Sequence, residues 1–299
     1  MRQVVLITGA NGMVANYLAK QLEGNYSVRF LTRKVSQDNQ YLWDLNTKYI
    51  DVEALKGVNH IIHLAGTPIS GKRWSRKRKQ AILHSRVDSA QLILDTLKKR
   101  SLTVDSFISA SAIGYYGTVT TQNIFTEESS KGNDFLSDVC GKWEDVAHLF
   151  KSNGVANRVS VVRMGIVLDK NYGAFKRIVQ PIKLRIGASL GTGNQYMPWI
   201  HIHDLYGVYK FIIDNNISGT FNGVAPEHVT NTELTKSVGR FLNRRIILPN
   251  IPEFLIKFLF GKMSVILLKG SRVSSDKILQ EGYCFNYQTL DQALSNLLK

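Results

Sequence analysis

The chain has 299 residues, 44% of them hydrophobic and 20% charged, a balance that excludes a disordered chain and allows one large domain or two unequal lobes. Its two cysteines, Cys140 and Cys284, lie far apart without CxxC spacing, which excludes a disulfide scaffold or thiolate metal site and points to a reducing, cytoplasmic compartment. The net charge of +15 excludes no class by itself.

The apolar run Val4 to Ile7 is too short for a signal peptide and passes directly into Thr8-Gly9-Ala10-Asn11-Gly12-Met13-Val14-Ala15. A helical pattern follows over Met13–Glu23. Strand, glycine turn and helix in this order cradle a dinucleotide pyrophosphate. Gly9 permits the tight turn, and Gly12 admits close backbone approach. Ala15 is small enough for the helix to pack on the strand. Backbone N–H groups of Asn11, Gly12, Met13 and Val14 then face the anion.

A second strand, Val28–Thr32, ends at Arg33 and Lys34, where an NAD-preferring site usually carries an acid. A guanidinium there stacks on adenine and binds a 2′-phosphate, so NADP is expected rather than NAD. A surface arginine of a basic protein is the alternative. The third strand, His60–Leu64, ends in Leu64, Ala65 and Gly66, small enough overall for a cofactor to lie against backbone.

Next comes the densest basic cluster, Lys72 to Lys79, at the start of a helix predicted over Arg76–Arg100. It reads first as a solvated helix face, second as a rim attracting anionic ligands and third as a nucleic-acid patch. No nucleic-acid motif accompanies it, so no such partner is expected. Strands follow at Ser106–Ser109 and Arg158–Val162, separated by a helix at Asp134–Ser152. Alternation of this kind predicts an α/β fold, a Rossmann-type doubly wound parallel sheet with right-handed crossovers. Beyond Arg163 the regularity fades into helices at Asn231–Leu242, Pro252–Phe260 and Leu290–Leu298. We expect a nucleotide-binding domain over residues 1–163, its core open to later strands, and a small C-terminal α+β substrate lobe over residues 164–299, intertwined with it. The greasiest segment, Phe254 to Leu268, is interrupted by Lys257, Gly261 and Lys262. It reads as buried or amphipathic helix, not a membrane span.

These segments carry a specific resemblance. TGANGMVA, FLTR, HLAGTPI, KRWSRKRKQAILHSRV, ISASAIGYYG, FTEES, DFLSDVCGKWE, VVRMGIVL, YMPWIHIHDL, GVAPEHVTNTEL and EGYCFNYQTLDQAL run through the whole chain. In this order they resemble the atypical extended short-chain dehydrogenases/reductases, in the nucleoside-diphosphate-sugar epimerase-like group called epimerase family proteins. The resemblance implies an NADP-binding Rossmann domain with a small lobe over the cofactor cleft. It also implies a serine, a tyrosine and a lysine at the reaction centre, the last two spaced Tyr-x-x-x-Lys.

Anchored at Glu144, that spacing puts Leu136 where tyrosine is expected and Cys140 where lysine is expected. Leucine has no proton to transfer, and a neutral thiol supplies no cation. Two other such pairs, Tyr172/Lys176 and Tyr206/Lys210, fall on the wrong elements. Ser111 fits the serine position, and Tyr115 or Tyr116 is the candidate replacement acid, with cleft-wall aromatics as the alternative. We therefore take Ser111 and Tyr115 as candidate catalytic residues. Ser109 and Ala110, at the same strand end, join the cofactor set.

Met197, Trp199 and His201 alternate along a predicted strand and share one face, either toward a substrate or toward the core. Trp74, Arg163 and Arg73 are candidate cleft residues by resemblance alone. His201-x-His203-Asp204 lacks a third ligand group, so no metal is expected. The leading reading is an NADP-binding epimerase-like oxidoreductase for a sugar nucleotide or small hydroxyl or carbonyl compound, monomeric or homodimeric. The alternative is a catalytically silent NADP sensor acting through a protein partner.

Overall fold

Short apolar strands alternating with amphipathic helices build an eight-stranded sheet. The structure is a computed structural model and describes residues 2–299. In chain order the elements are β1 (Val4–Thr8), α1 (Met13–Leu22), β2 (Ser27–Thr32), β3 (Gln40–Asp44), β4 (Tyr49–Ile50), β5 (His60–His63), α2 (Arg76–Lys99) and β6 (Val104–Ala112). Then follow β7 (Ile124–Phe125), α3 (Phe135–Ser152), β8 (Ala156–Met164), β9 (Ile166–Leu168), α4 (Gly173–Lys183), β10 (Trp199–His201), α5 (Ile202–Asp214) and β11 (Gly219–Gly223). The chain closes with α6 (Asn231–Phe241), α7 (Glu253–Phe260), α8 (Val265–Leu268), β12 (Arg272–Val273), α9 (Asp276–Gln280) and α10 (Leu290–Leu298).

The sheet order is β11-β8-β6-β5-β1-β2-β3-β4, parallel except for β4, which runs antiparallel to β3. Strand order reverses between β1 and β5, and the carboxyl ends of these two strands form the crevice where such folds bind ligands. Alternating side chains divide the interior in two. Val5, Ile7, Phe30, Ile62 and Val162 pack under α1 and α5. Leu6, Leu31, Ile61, Phe107 and Val161 pack under α2 and α3 on the other face.

A third apolar cluster builds the small lobe from α4, α6 and α10, around Phe175, Trp199, Leu234 and Leu294. The chain weaves between the layers. β11 returns to pair with β8, while β12 pairs with β7 from the first half. Buried Asp204 fastens the C-terminal segment to α5, accepting hydrogen bonds from Tyr283 Oη and from the backbone N–H groups of Asn286 and Tyr287. No helix among the described residues is long and apolar enough to cross a membrane.

Candidate functional site

The crevice is stitched together by Thr8. Its buried hydroxyl accepts hydrogen bonds from the backbone N–H groups of Leu64 and Ala65, each at 2.9 Å, and bonds His63 Nδ1 at 3.1 Å. Gly9 follows with φ +83°, where L side chains are strained, and a Cβ would sit 3.2 Å from the Leu64 carbonyl oxygen. At Gly12 a Cβ would lie 3.0 Å from the Gly9 carbonyl oxygen. The turn therefore has room for backbone alone. Gly12 caps α1 with no side-chain hydrogen bond, and the first turn carries no acid. The N–H groups around Met13 and Val14 and the positive end of the dipole are thus left for an outside anion. Asn16 braces the turn from the helix, donating from Nδ2 to the carbonyls of Ala10 (2.8 Å) and Gly12 (2.9 Å). Asn11, Gly12, Arg33 and Gly66 are exposed at this edge, while Leu64 is half-buried and Ala65 buried. These residues fit a dinucleotide.

Arg86, which the motif reading passed over, lies beside the crevice on α2. Its Nη1 donates to the carbonyls of Thr67 (3.0 Å) and Ile82 (2.9 Å), and its guanidinium lies 5.1 Å from the Trp143 ring centroid. A Cβ on Gly66 would stand 2.9 Å from Arg86 Cζ, so the glycine makes room for this cation. Burial lowers its pKa to about 10, which still leaves it protonated near neutrality. Among the described residues it has no carboxylate partner. The signal in the sequence was an arginine twenty residues after a glycine at a strand end. It was obscured by the neighbouring basic run.

The reaction centre implied by the resemblance is organised around a buried ion pair. Arg163 Nε and Nη2 donate to Glu144 Oε1 and Oε2 at 3.0 and 2.8 Å. Burial alone would lower the Arg163 pKa, but the hydrogen bonds and charge of Glu144 more than offset it, and the net shift is upward. Ser111 is wholly buried, and its hydroxyl donates to Glu144 Oε1 at 2.5 Å. Tyr116 Oη donates to Asn222 Oδ1 at 2.6 Å and accepts from Arg163 Nη1 at 3.1 Å. Burial pushes this phenol up to about 12. Tyr116 is therefore a structural member of the network and not an acid facing a ligand.

Tyr115 is placed differently. It is half-buried, its ring lies 3.4 Å from Arg163 Cζ, and its hydroxyl has no hydrogen-bond partner among the described residues. Leu136 and Cys140, one turn apart on α3, both pack against Gly114, with Leu136 Cβ and Cys140 Sγ 3.3 and 3.7 Å from where its Cβ would be. The Cys140 thiol is pushed up to about 12 by burial and is neutral near pH 7. Ser109 and Ala110 are buried within β6.

The substrate expectations need correction. The face shared by Met197, Trp199 and His201 is the inside of the small lobe, not a cleft wall. Trp199 is wholly buried among Phe175, Leu234 and Leu294. His201 bonds Asn296, accepts from the His203 N–H and stacks against Tyr287. Burial lowers its pKa to about 4. Alternation identifies a common face but not what lies opposite it. Arg163 is likewise closed off by Glu144. Trp74 does reach a cavity of about 250 Å³, which it lines with Lys79, Phe135, Leu136, Lys262 and Val265. Lys79 Nζ lies 4.5 Å from the Phe135 ring centroid, and Lys262 comes from the segment that follows α7.

A glycine turn at the switch point of a doubly wound sheet defines the class as a Rossmann-type dinucleotide-fold protein. Residues 5–137 match the NAD dependent epimerase/dehydratase family, and residues 251–297 match a domain of unknown function, DUF1731. The chain is 32% identical to the epimerase family protein YfhF of Bacillus subtilis, over 98% of this chain and 97% of that protein. It is 30% identical to the human epimerase family protein SDR39U1, over 98% and 99% of the two chains. The crystal structure of human SDR39U1 with NADPH superposes with a TM-score of 0.87 at 27% identity, covering 99% of each chain. This chain belongs to the epimerase family of extended short-chain dehydrogenase/reductase-like proteins.

Proposed function

We propose that this chain binds NADP and acts as an epimerase-like oxidoreductase on a small hydroxyl- or carbonyl-bearing compound, sugar nucleotides included. The observation that carries the reading is the uncapped start of α1 above a backbone-only turn, with Arg33 exposed where NAD sites carry an acid. The NADPH in the human relative's structure supports the same choice. Gly9, Asn11, Gly12, Met13 and Val14 would hold the pyrophosphate, and Arg33 the 2′-phosphate. Leu64, Ala65 and Gly66 would line the bed beneath the cofactor, with Ser109 and Ala110, buried within β6, supporting that bed from below. The bound nicotinamide would supply or accept the hydride.

This chain's residues divide the remaining work. Arg86 supplies, beside Gly66, the positive charge that a lysine gives in the wider superfamily. Tyr115 Oη is the open proton donor: in carbonyl reduction it gives its proton to the oxygen as negative charge develops there. Ser111, Glu144 and Arg163 are positioning residues that hold the Tyr115 loop. The cavity lined by Trp74, Lys79 and Lys262 receives the substrate.

The experiment is a screen of carbonyl compounds and sugar nucleotides for NADPH oxidation, repeated on two variants. Tyr115→Phe should keep NADPH affinity within about threefold and lose about 100-fold in turnover. Arg86→Ala should weaken NADPH binding about tenfold or more. Unchanged turnover by Tyr115→Phe would remove it as the acid. A second reading, a silent NADP sensor acting through a protein partner, is favoured by one observation. Leu136 and neutral Cys140 occupy the expected tyrosine and lysine positions. Tight NADPH binding without turnover of any screened compound would favour it.

A further inference from the structure

Two sequence features take no part in the nucleotide site, and the fold brings them together. The first is α7. Its apolar residues surround the helix, but the fold buries only Ile256. Phe254 and Phe258, four residues apart and so on one face, are 67% and 75% exposed. Leu255 and Leu259 form a second exposed row beside them. Ile247 and Leu248, in the loop that leads into the helix, are exposed as well. A contiguous apolar surface of this kind on a water-facing helix marks an interaction site.

The second feature is the basic run that begins at Lys72. Arg73 donates from Nε to the Leu259 carbonyl at 3.1 Å and from Nη2 to the Phe258 carbonyl. Those bonds fasten the run to the last turn of α7. Lys72, Arg73, Arg76 and Lys77 are exposed, and so are Lys257 and Lys262. Among the described residues only Lys257 of these six forms an ion pair, with Glu253. A row of phenylalanines and leucines is thus edged by six cations, five of which have no carboxylate partner among the described residues.

We propose that α7 and the run Lys72 to Lys77 form a peripheral docking surface for an anionic lipid bilayer. The helix lies in the plane of the interface with Phe254 and Phe258 in the acyl boundary. The lysines and arginines meet lipid phosphates. Eight residues span only about 12 Å, which is enough for in-plane insertion and far too short to cross. Charge complementarity selects this occupant. A second copy of the chain would bring a net charge of +15 against the same basic rim, and the rim would oppose it.

Sedimentation of the full-length protein with lipid vesicles tests the proposal. Vesicles of phosphatidylcholine with phosphatidylglycerol should carry the protein down, and vesicles of phosphatidylcholine alone should not. Added salt should weaken the binding. The double variant Phe254→Glu/Phe258→Glu should lose binding by about tenfold or more, as should Lys72→Glu/Lys77→Glu. All four side chains are exposed, so both variants should melt with the native protein and bind NADPH as it does. Failure to bind anionic vesicles would overturn the proposal, as would equal binding to neutral ones. A dimer in solution that Phe254→Glu/Phe258→Glu makes monomeric would assign the face to a second copy instead.

Discussion

The two ends of the expected active centre were built in opposite ways. At the switch point between β1 and β5, nearly everything is backbone: a glycine with positive φ, an uncapped helix start and a threonine hydroxyl joining two strand ends. At the end of β6 nearly everything is side chain. A buried arginine–glutamate pair, a serine and a tyrosine bond one another, while a leucine and a neutral thiol fill the adjoining helix face. The first end keeps its donors free for a ligand. The second uses most of its polar groups on itself, leaving Tyr115 open.

The largest effect should come from breaking the second end. Glu144→Ala leaves the Arg163 guanidinium buried without its partner and should cost about 3–5 kcal/mol, read as a lowered midpoint in urea. A loss below about 1 kcal/mol would mean that water or another carboxylate reaches Arg163 and that the network is not closed. Glu144→Gln, which keeps the shape, should recover part of the loss.

A second effect is expected from pH, and it concerns the first end directly. His63, between Thr8 and Ser89, has its pKa lowered to about 4 chiefly by burial, and His201 in the small lobe is lowered to about 4 for the same reason. In both, the unfolded chain binds the proton first. Stability is therefore fully present above the ordinary value near 6.5 and is lost as pH falls from there toward 4. Each histidine contributes a slope of at most about 1.4 kcal/mol per pH unit across that window. Chemical unfolding at several pH values checks this. His63→Gln should flatten the curve, and an unchanged slope in that variant would show that the crevice histidine accepts a proton without cost.

The same contrast explains what could be read from the sequence. The glycine turn was legible because all its parts fall within eight consecutive residues, so spacing alone specifies the geometry. Five strands of the sheet, β1, β2, β5, β6 and β8, were legible as local apolar runs. β3, β4 and β11 were not: β3 is five residues long and buries only Trp43, β4 has two residues, and β11 begins and ends in glycine. The Glu144–Arg163 pair joins α3 to β8, and Ser111 comes to it from β6. No local pattern reports contacts of that range. Arg86 was hidden by its basic neighbours, and Trp199 by the two-sidedness of a strand. In α7 an apolar run reads as buried or amphipathic helix, and of its residues only Ile256 is buried.

The central claim is that the backbone end holds NADP and that Arg33 selects it. The direct measurement is a fluorescence titration of the native protein and of Arg33→Asp with NADPH and NADH. The account predicts that the native protein binds NADPH at least about tenfold more tightly than NADH and that Arg33→Asp reverses the preference. Equal affinity of the native protein for the two, or an unaltered preference in the variant, would contradict it.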